Sequence, residues 1–161
     1  MSDEAFTLKI TGLDQLVKAL KVKAPVARIG ILGDKTVREP GEGEQKTLTN
    51  AEVGAAHEFG TSTLPKRSFL IEPIRDNLDK EMLKSGALDK TVLADVVKQG
   101  SVVPWVKKIA SLAEGIVLDA FDTGGFGKWK GWKNPYYTNN AGQILVDTKQ
   151  LRDSISSEVK E

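Results

Sequence analysis

No cysteine occurs in the 161 residues. Disulfides, thiolate nucleophiles and cysteine metal sites are therefore excluded. A single histidine, His57, is present. A zinc site would need three carboxylates or an outside ligand, and a Ser-His-Asp triad has one possible base. Neither sign of charge dominates: 23 Lys and Arg stand against 22 Asp and Glu, for a net charge of +1. A dedicated nucleic-acid binder usually carries a strong basic excess. No apolar run approaches the ~20 residues of a membrane span. The opening Met-Ser-Asp-Glu-Ala has neither a basic n-region nor an apolar h-region. No signal peptide is expected, and the compartment reads as cytoplasm-like. There is no internal repeat.

What is present is a soluble, globular composition, with 28% charged and 40% hydrophobic residues. The length suits one domain over residues 1–161 with a core of its own. Phe6, Leu8 and Ile10 alternate as a half-buried strand. Thr11 offers a cap to an amphipathic helix carrying Leu13, Leu16, Val17 and Leu20, which Pro25 ends. Ala27, Ile29 and Ile31 alternate again up to a Gly33-Asp34 turn. Asp34 to Lys46 is polar and reads as a mobile surface loop at the tip of a hairpin. Thr49 to Glu52 forms a capping box for a short helix to Phe59, with Gly60 as its left-handed C-cap. Ala51, Gly54 and Ala55 share one face, small enough to pack closely on the domain's own sheet. Thr61 to Phe69 reads as extended, stiffened by Pro65.

Three helices are predicted next. Pro73 suits the first turn of one with the stripe Ile74, Leu78, Met82. Val92, Leu93, Val96 and Val97 mark another, closed by Gly100. Ser101 and Pro104 open the longest, whose apolar positions run from Val102 to Phe121 at a sustained helical period. Gly124 to Gly127 breaks it and reads as a flexible connection. Ile144 to Val146 is a candidate strand, Thr148 a cap for a single turn through Leu151 and Arg152, and Ile155 to Val159 a last strand. The expected fold is α+β: a small antiparallel sheet packed with several helices, one long, with extended loops.

Little of this suggests catalysis. His57-Glu58 lacks the second histidine of His-Glu-x-x-His, since Thr61 stands there. A histidine near a helix C-terminus, favoured by the dipole, explains His57 more simply. The glycines before Lys128 follow a helix, and Trp129 replaces the Ser or Thr of a phosphate loop. Lys128, Trp129, Lys130, Trp132, Lys133, Tyr136 and Tyr137 interleave cations with aromatics. That mixture suits base stacking, a protein–protein anchor, or one core tryptophan beside a surface one. The residues read as an interaction domain with no cofactor rather than an enzyme. A hydrolase using His57 and Glu58 is the weakest alternative.

Asn50 to Thr61, ending His57-Glu58-Phe59-Gly60-Thr61, leads into Leu64-Pro65-Lys66-Arg67-Ser68-Phe69-Leu70. Thr148-Lys149-Gln150-Leu151-Arg152-Asp153-Ser154-Ile155 closes the chain. This resembles a family of tailed-phage morphogenesis proteins, the tail-completion or neck proteins of Mu-like and related phages. Their pattern is a helix ending in His-Glu-Phe-Gly-Thr, then Pro-x-Arg-x-Phe-Leu, and finally Thr-Gly-x-Leu-x-x-Ser-Ile. The likeness spans about residues 27–160. It departs at Ser68, where the family often has Pro, and at Lys149, where it usually has Gly. If that Gly serves a positive φ, either the turn differs here or Lys149 takes ordinary helical geometry.

The resemblance implies a structural virion protein at the head–tail junction, either joining or completing the tail, or alternatively terminating it. It implies a ring of copies of itself, six-fold when docked, around a channel through which genomic DNA passes without sequence-specific binding. Its neighbours would be terminator, tube or connector proteins, with no membrane. The virion and, during assembly, the host cytoplasm would be its locations. His57, Glu58, Phe59, Gly60, Pro65, Arg67 and Phe69 are the expected interaction residues, with Arg67 and Phe69 presented for docking. Trp129, Trp132, Tyr136, Tyr137, Thr148 and Leu151 complete the set, the aromatics being buried by neighbours. Asp34 to Lys46 and Gly124 to Asn140 are the expected places where free and assembled protein differ. A DNA-binding module built on the Lys/Trp segment is the alternative from a different class.

Overall fold

The computed structural model describes residues 25–39, 48–130 and 149–161. Two strands, β1 (Val26–Ile31) and β2 (Ile155–Lys160), pair antiparallel with Ile31 opposite Ile155 and Val26 opposite Lys160. Between them lie a 3-10 turn (Gly33–Thr36) and the helices α1 (Asn50–Phe59), α2 (Ile71–Lys84), α3 (Lys90–Gln99), α4 (Val103–Thr123) and α5 (Gln150–Asp153). This is the expected α+β class, with a small antiparallel sheet and one long helix. The expected strands at Phe6–Ile10 and Ile144–Val146 and the helix of Leu13–Leu20 lie outside the described residues.

α4 is the spine. It packs against α2 and against both strands. Ala110, Ala113, Ile116, Val117, Ala120 and Phe121 form its buried stripe. The alanines let neighbouring backbones close in, while Val117 and Phe121 fill the centre. The core joins these two to Phe69, Leu151 and Ile155, with Ile29, Ile31, Val53, Ile74 and Trp129 packed around them. Pro104 sits in the first turn of α4 and Gly124 caps its end in left-handed geometry.

α1 starts on the predicted capping box. The Glu52 N–H donates to Thr49 Oγ1 and the Thr49 N–H to Glu52 Oε2. Beside it the Asn50 amide donates to the carbonyls of Lys35 (3.0 Å) and Val37 (2.9 Å). That pair of bonds pins the chain leaving the 3-10 turn. Gly54 is buried against β1, where a Cβ would come within 2.8 Å of Ile31 Cδ1, but Ala51 and Ala55 are exposed. The close packing expected of three small residues is made by one.

Three local expectations fail. The segment after Gly33 is no hairpin tip, because β1 pairs with β2 at the far end of the chain and a helix follows the loop. Residues 61–64 form a tight turn instead of an extended run: the Thr61 N–H donates to the Leu64 carbonyl, and Thr61 Oγ1 accepts from the Leu64 N–H, both at 2.9 Å. The short threonine side chain competes for the backbone there. Gly124 to Gly127 is not a flexible connection but a turn with φ positive at all four residues, closed by bonds from the Gly125 N–H to the Ala120 carbonyl and the Trp129 N–H to the Gly124 carbonyl.

The N-cap of α5 is Lys149, not Thr148, which lies outside the described residues. Lys149 has φ 58° and ψ −10°. Lys149 thus sits in left-handed backbone and does not take the ordinary helical geometry that was one of the two alternatives drawn from the sequence. Leu151 enters the core one residue after the helix begins, so packing over-determines the backbone. Lys149→Gly is expected to stabilise the fold by about 1 kcal/mol, the left-handed penalty less the entropy of a glycine in the unfolded chain. A urea titration checks it, and an unchanged or lowered midpoint contradicts the strained assignment.

Candidate functional site

The residues of the first motif meet where α1 ends and α2 begins. Glu58, on the last turn of α1, is only 4% exposed. Its Oε2 accepts from the N–H groups of Phe69 (2.9 Å) and Leu70 (3.0 Å), and its Oε1 accepts from the Ile71 N–H (3.1 Å) and the Ser68 hydroxyl (2.6 Å). Those amides are the unpaired start of α2, whose N-cap residue Leu70 has no side chain able to cap. Ser68 Oγ accepts from the Glu72 N–H (3.0 Å), and Pro73 has no N–H to satisfy. One carboxylate from another helix therefore does the capping, with the α2 dipole favouring its charge. Ser68 is a working part of this cap. A hydroxyl ahead of a proline-bearing first turn was the only signal for it in the sequence.

The backbone repeats the link, with the Arg67 N–H donating to the His57 carbonyl at 2.8 Å. Arg67 is 1% exposed, and its Nε and Nη2 both donate to the carbonyl of Lys130 at 3.2 Å. The guanidinium so fastens the segment after α4 to the α1–α2 junction, and burial lowers its pKa. Trp129 completes the fastening. Its indole N–H donates to the Ser68 carbonyl (3.1 Å), and its ring meets Phe121 edge-on at 5.9 Å. Phe121 in turn lies 5.1 Å from Phe69. Gly125 makes room for this, since a Cβ there would fall inside the Trp129 ring.

Arg67 and Phe69 are therefore not presented for docking: both are buried, the one by its bonds to Lys130 and the other by the phenyl of Phe121. Trp129 is likewise packed, half-buried, against the core of its own chain and is not left to neighbours to cover. Leu151 is core. Of the expected interaction residues, Phe59 at 67% exposure and Pro65 remain on the surface. Trp132, Tyr136, Tyr137 and Thr148 lie outside the described residues. Gly60 has the expected positive φ of 76°, but its ψ of 167° puts it in an extended region almost reserved for glycine and not in a left-handed helical cap.

His57 behaves otherwise than its place near a helix C-terminus suggests. Burial, the Arg67 guanidinium and Arg38 lower its pKa from 6.5 to about 4, so it is neutral at pH 7. Above pH 6.5 the folded and unfolded chains are both neutral at this residue and it contributes no pH dependence. As pH falls from 6.5 to 4 the unfolded chain takes up a proton that the fold refuses, so stability falls over that window. His57→Gln is expected to flatten this part of the profile, measured as denaturant midpoints at a series of pH values. An equally steep profile in the variant would place the titration elsewhere.

Among the described residues no set of His, Asp or Glu is grouped to hold a metal ion, and no helix is long and apolar enough to cross a membrane. Comparison with family models, with curated proteins and with solved structures gave no match.

Proposed function

We propose that this protein is a structural component of a tailed-phage virion, placed where the tail meets the head, and that it acts by assembly and not by catalysis. The motif resemblance suggests the setting. The observation that carries the reading is the use made of the motif: Glu58, Ser68, Arg67 and Trp129 spend their polar groups on their own chain, bracing α1, α2 and the end of α4 into one unit. A brace of this kind suits a subunit that must hold its shape under load. Phe59 and Pro65 stand outside it, free to meet neighbours. In this reading the copies form a ring around the DNA channel, contacting terminator, tube or connector proteins.

Electron microscopy of particles assembled without this protein tests the proposal. Separate filled heads and finished tails are expected. Tails of abnormal length would assign it to termination of the tail tube instead. Normal infectious particles would refute the virion role.

A further inference from the structure

α1 and α3 are both ten residues long. Isolated helices shorter than about 12–15 residues are marginal in water, so each depends on what it is fastened to. α1 has its capping box at Thr49, and Glu58 near its end accepts from three N–H groups at the start of α2. The N-cap of α3, Asp89, makes no side-chain cap bond. Among the described side chains of α3 only Val96 is buried, and it lies outside the core around Phe121.

Where α3 meets α4 the two helices do not close on each other. A groove of about 190 Å³ runs between them, with Val92 and Val96 on one wall and Pro104 and Trp105 on the other. Side chains facing such a gap forgo contacts that a filled interface makes. The chain leading into α3 is fastened more tightly. Ala87 is 1% exposed, and its carbonyl accepts from the Trp105 indole N–H at 2.9 Å. Lys108 Nζ donates to the Ser85 carbonyl at 3.1 Å. Beyond α3 stands Gly100, left-handed at φ 63°, where a Cβ would meet nothing within 4 Å. The backbone has room to turn there, as at a hinge.

We propose that α3 is a strap that opens from α4 as one unit while α2, the core of α4 and the sheet stay folded. Undocking and unwinding are a single event, because a helix of this length does not keep its form alone. The link at Ser85–Ala87 stays bonded to Lys108 and Trp105, so the opening stops short of α2. It uncovers Val96 and the groove wall of Pro104 and Trp105. The opening belongs to the single chain and does not rest on the virion reading.

Native-state hydrogen exchange of the full-length protein tests this, read residue by residue at urea concentrations below the unfolding transition. The amides of Ala94 to Gly100 are expected to share one rate, about a hundredfold faster than those of Ala113 to Phe121, with a much shallower urea dependence. Val117→Ala separates the two units. Val117 keeps its core contacts when α3 opens and loses them only when the whole domain unfolds. The variant is expected to speed exchange of Ala113 to Phe121 by about tenfold or more and to leave Ala94 to Gly100 unchanged. Equal rates and equal urea slopes for the two stretches of the parent overturn the proposal. So does a Val117→Ala variant in which both stretches speed up together. Amides of α3 that exchange at separate rates, graded from the ends inward, are fraying and overturn the single unit. If Val117→Ala does not fold, the parent measurement decides alone.

Discussion

Glu58→Ala is expected to cost the fold more than about 4 kcal/mol and to lower Tm by about 10 °C or more. The substitution strips the acceptor from the N–H groups of Phe69, Leu70 and Ile71 and from the Ser68 hydroxyl in one step. Each buried donor left unsatisfied costs about 1–3 kcal/mol. The total is a large share of the ~5–15 kcal/mol by which domains are stable. In a chain of this length each kcal/mol moves Tm by about 2–4 °C. Glu58→Gln should fall between, because the amide keeps one acceptor oxygen while its NH₂ faces donors. Thermal unfolding followed by circular dichroism decides the matter, and a Tm within about 2 °C of the parent would show that the cap is dispensable.

Trp129→Ala is expected to destabilise by about 3 kcal/mol, the low end of the range for removing a large core aromatic, because Trp129 is half-buried. It takes away the edge-on contact with Phe121 and the indole bond to Ser68, and empties the space that Gly125 provides. Trp129→Phe keeps most of the ring contact and loses the N–H, for about 1 kcal/mol. Chemical denaturation of the isolated protein measures both. An unaltered midpoint in Trp129→Ala would return this tryptophan to the surface, one of the readings that its lysine neighbours left open in the sequence.

Those lysines show where reading from sequence stops. Period and punctuation are local, and several of the elements they mark are there: the Ile74–Leu78–Met82 stripe of α2, the sustained apolar face of α4, the capping box at Thr49, the stops at Gly100 and Gly124. Pairing is not local. Nothing near Val26–Ile31 names β2 as its partner, so the loop after Gly33 looked like a hairpin. Burial of charge is not local either. Arg67 looks like a surface residue until the Lys130 carbonyl is brought to it from beyond α4. The motif around Glu58 was legible as a motif, but its carboxylate has meaning only once α2 starts beside it. Lys149 is a different case, a residue that sits against local preference because Leu151 is committed to the core.

The pairing of β1 with β2 sets the order of events during synthesis. The two strands lie about 130 positions apart, among the longest and slowest closures a chain of this size makes. While the ribosome is still translating, α2 and α4 have each other to pack on, whereas the strand that pairs with β1 among the described residues emerges last. Until then Arg28 on β1 supplies a charge that discourages pairing with a neighbouring nascent chain, before Glu158 arrives opposite it.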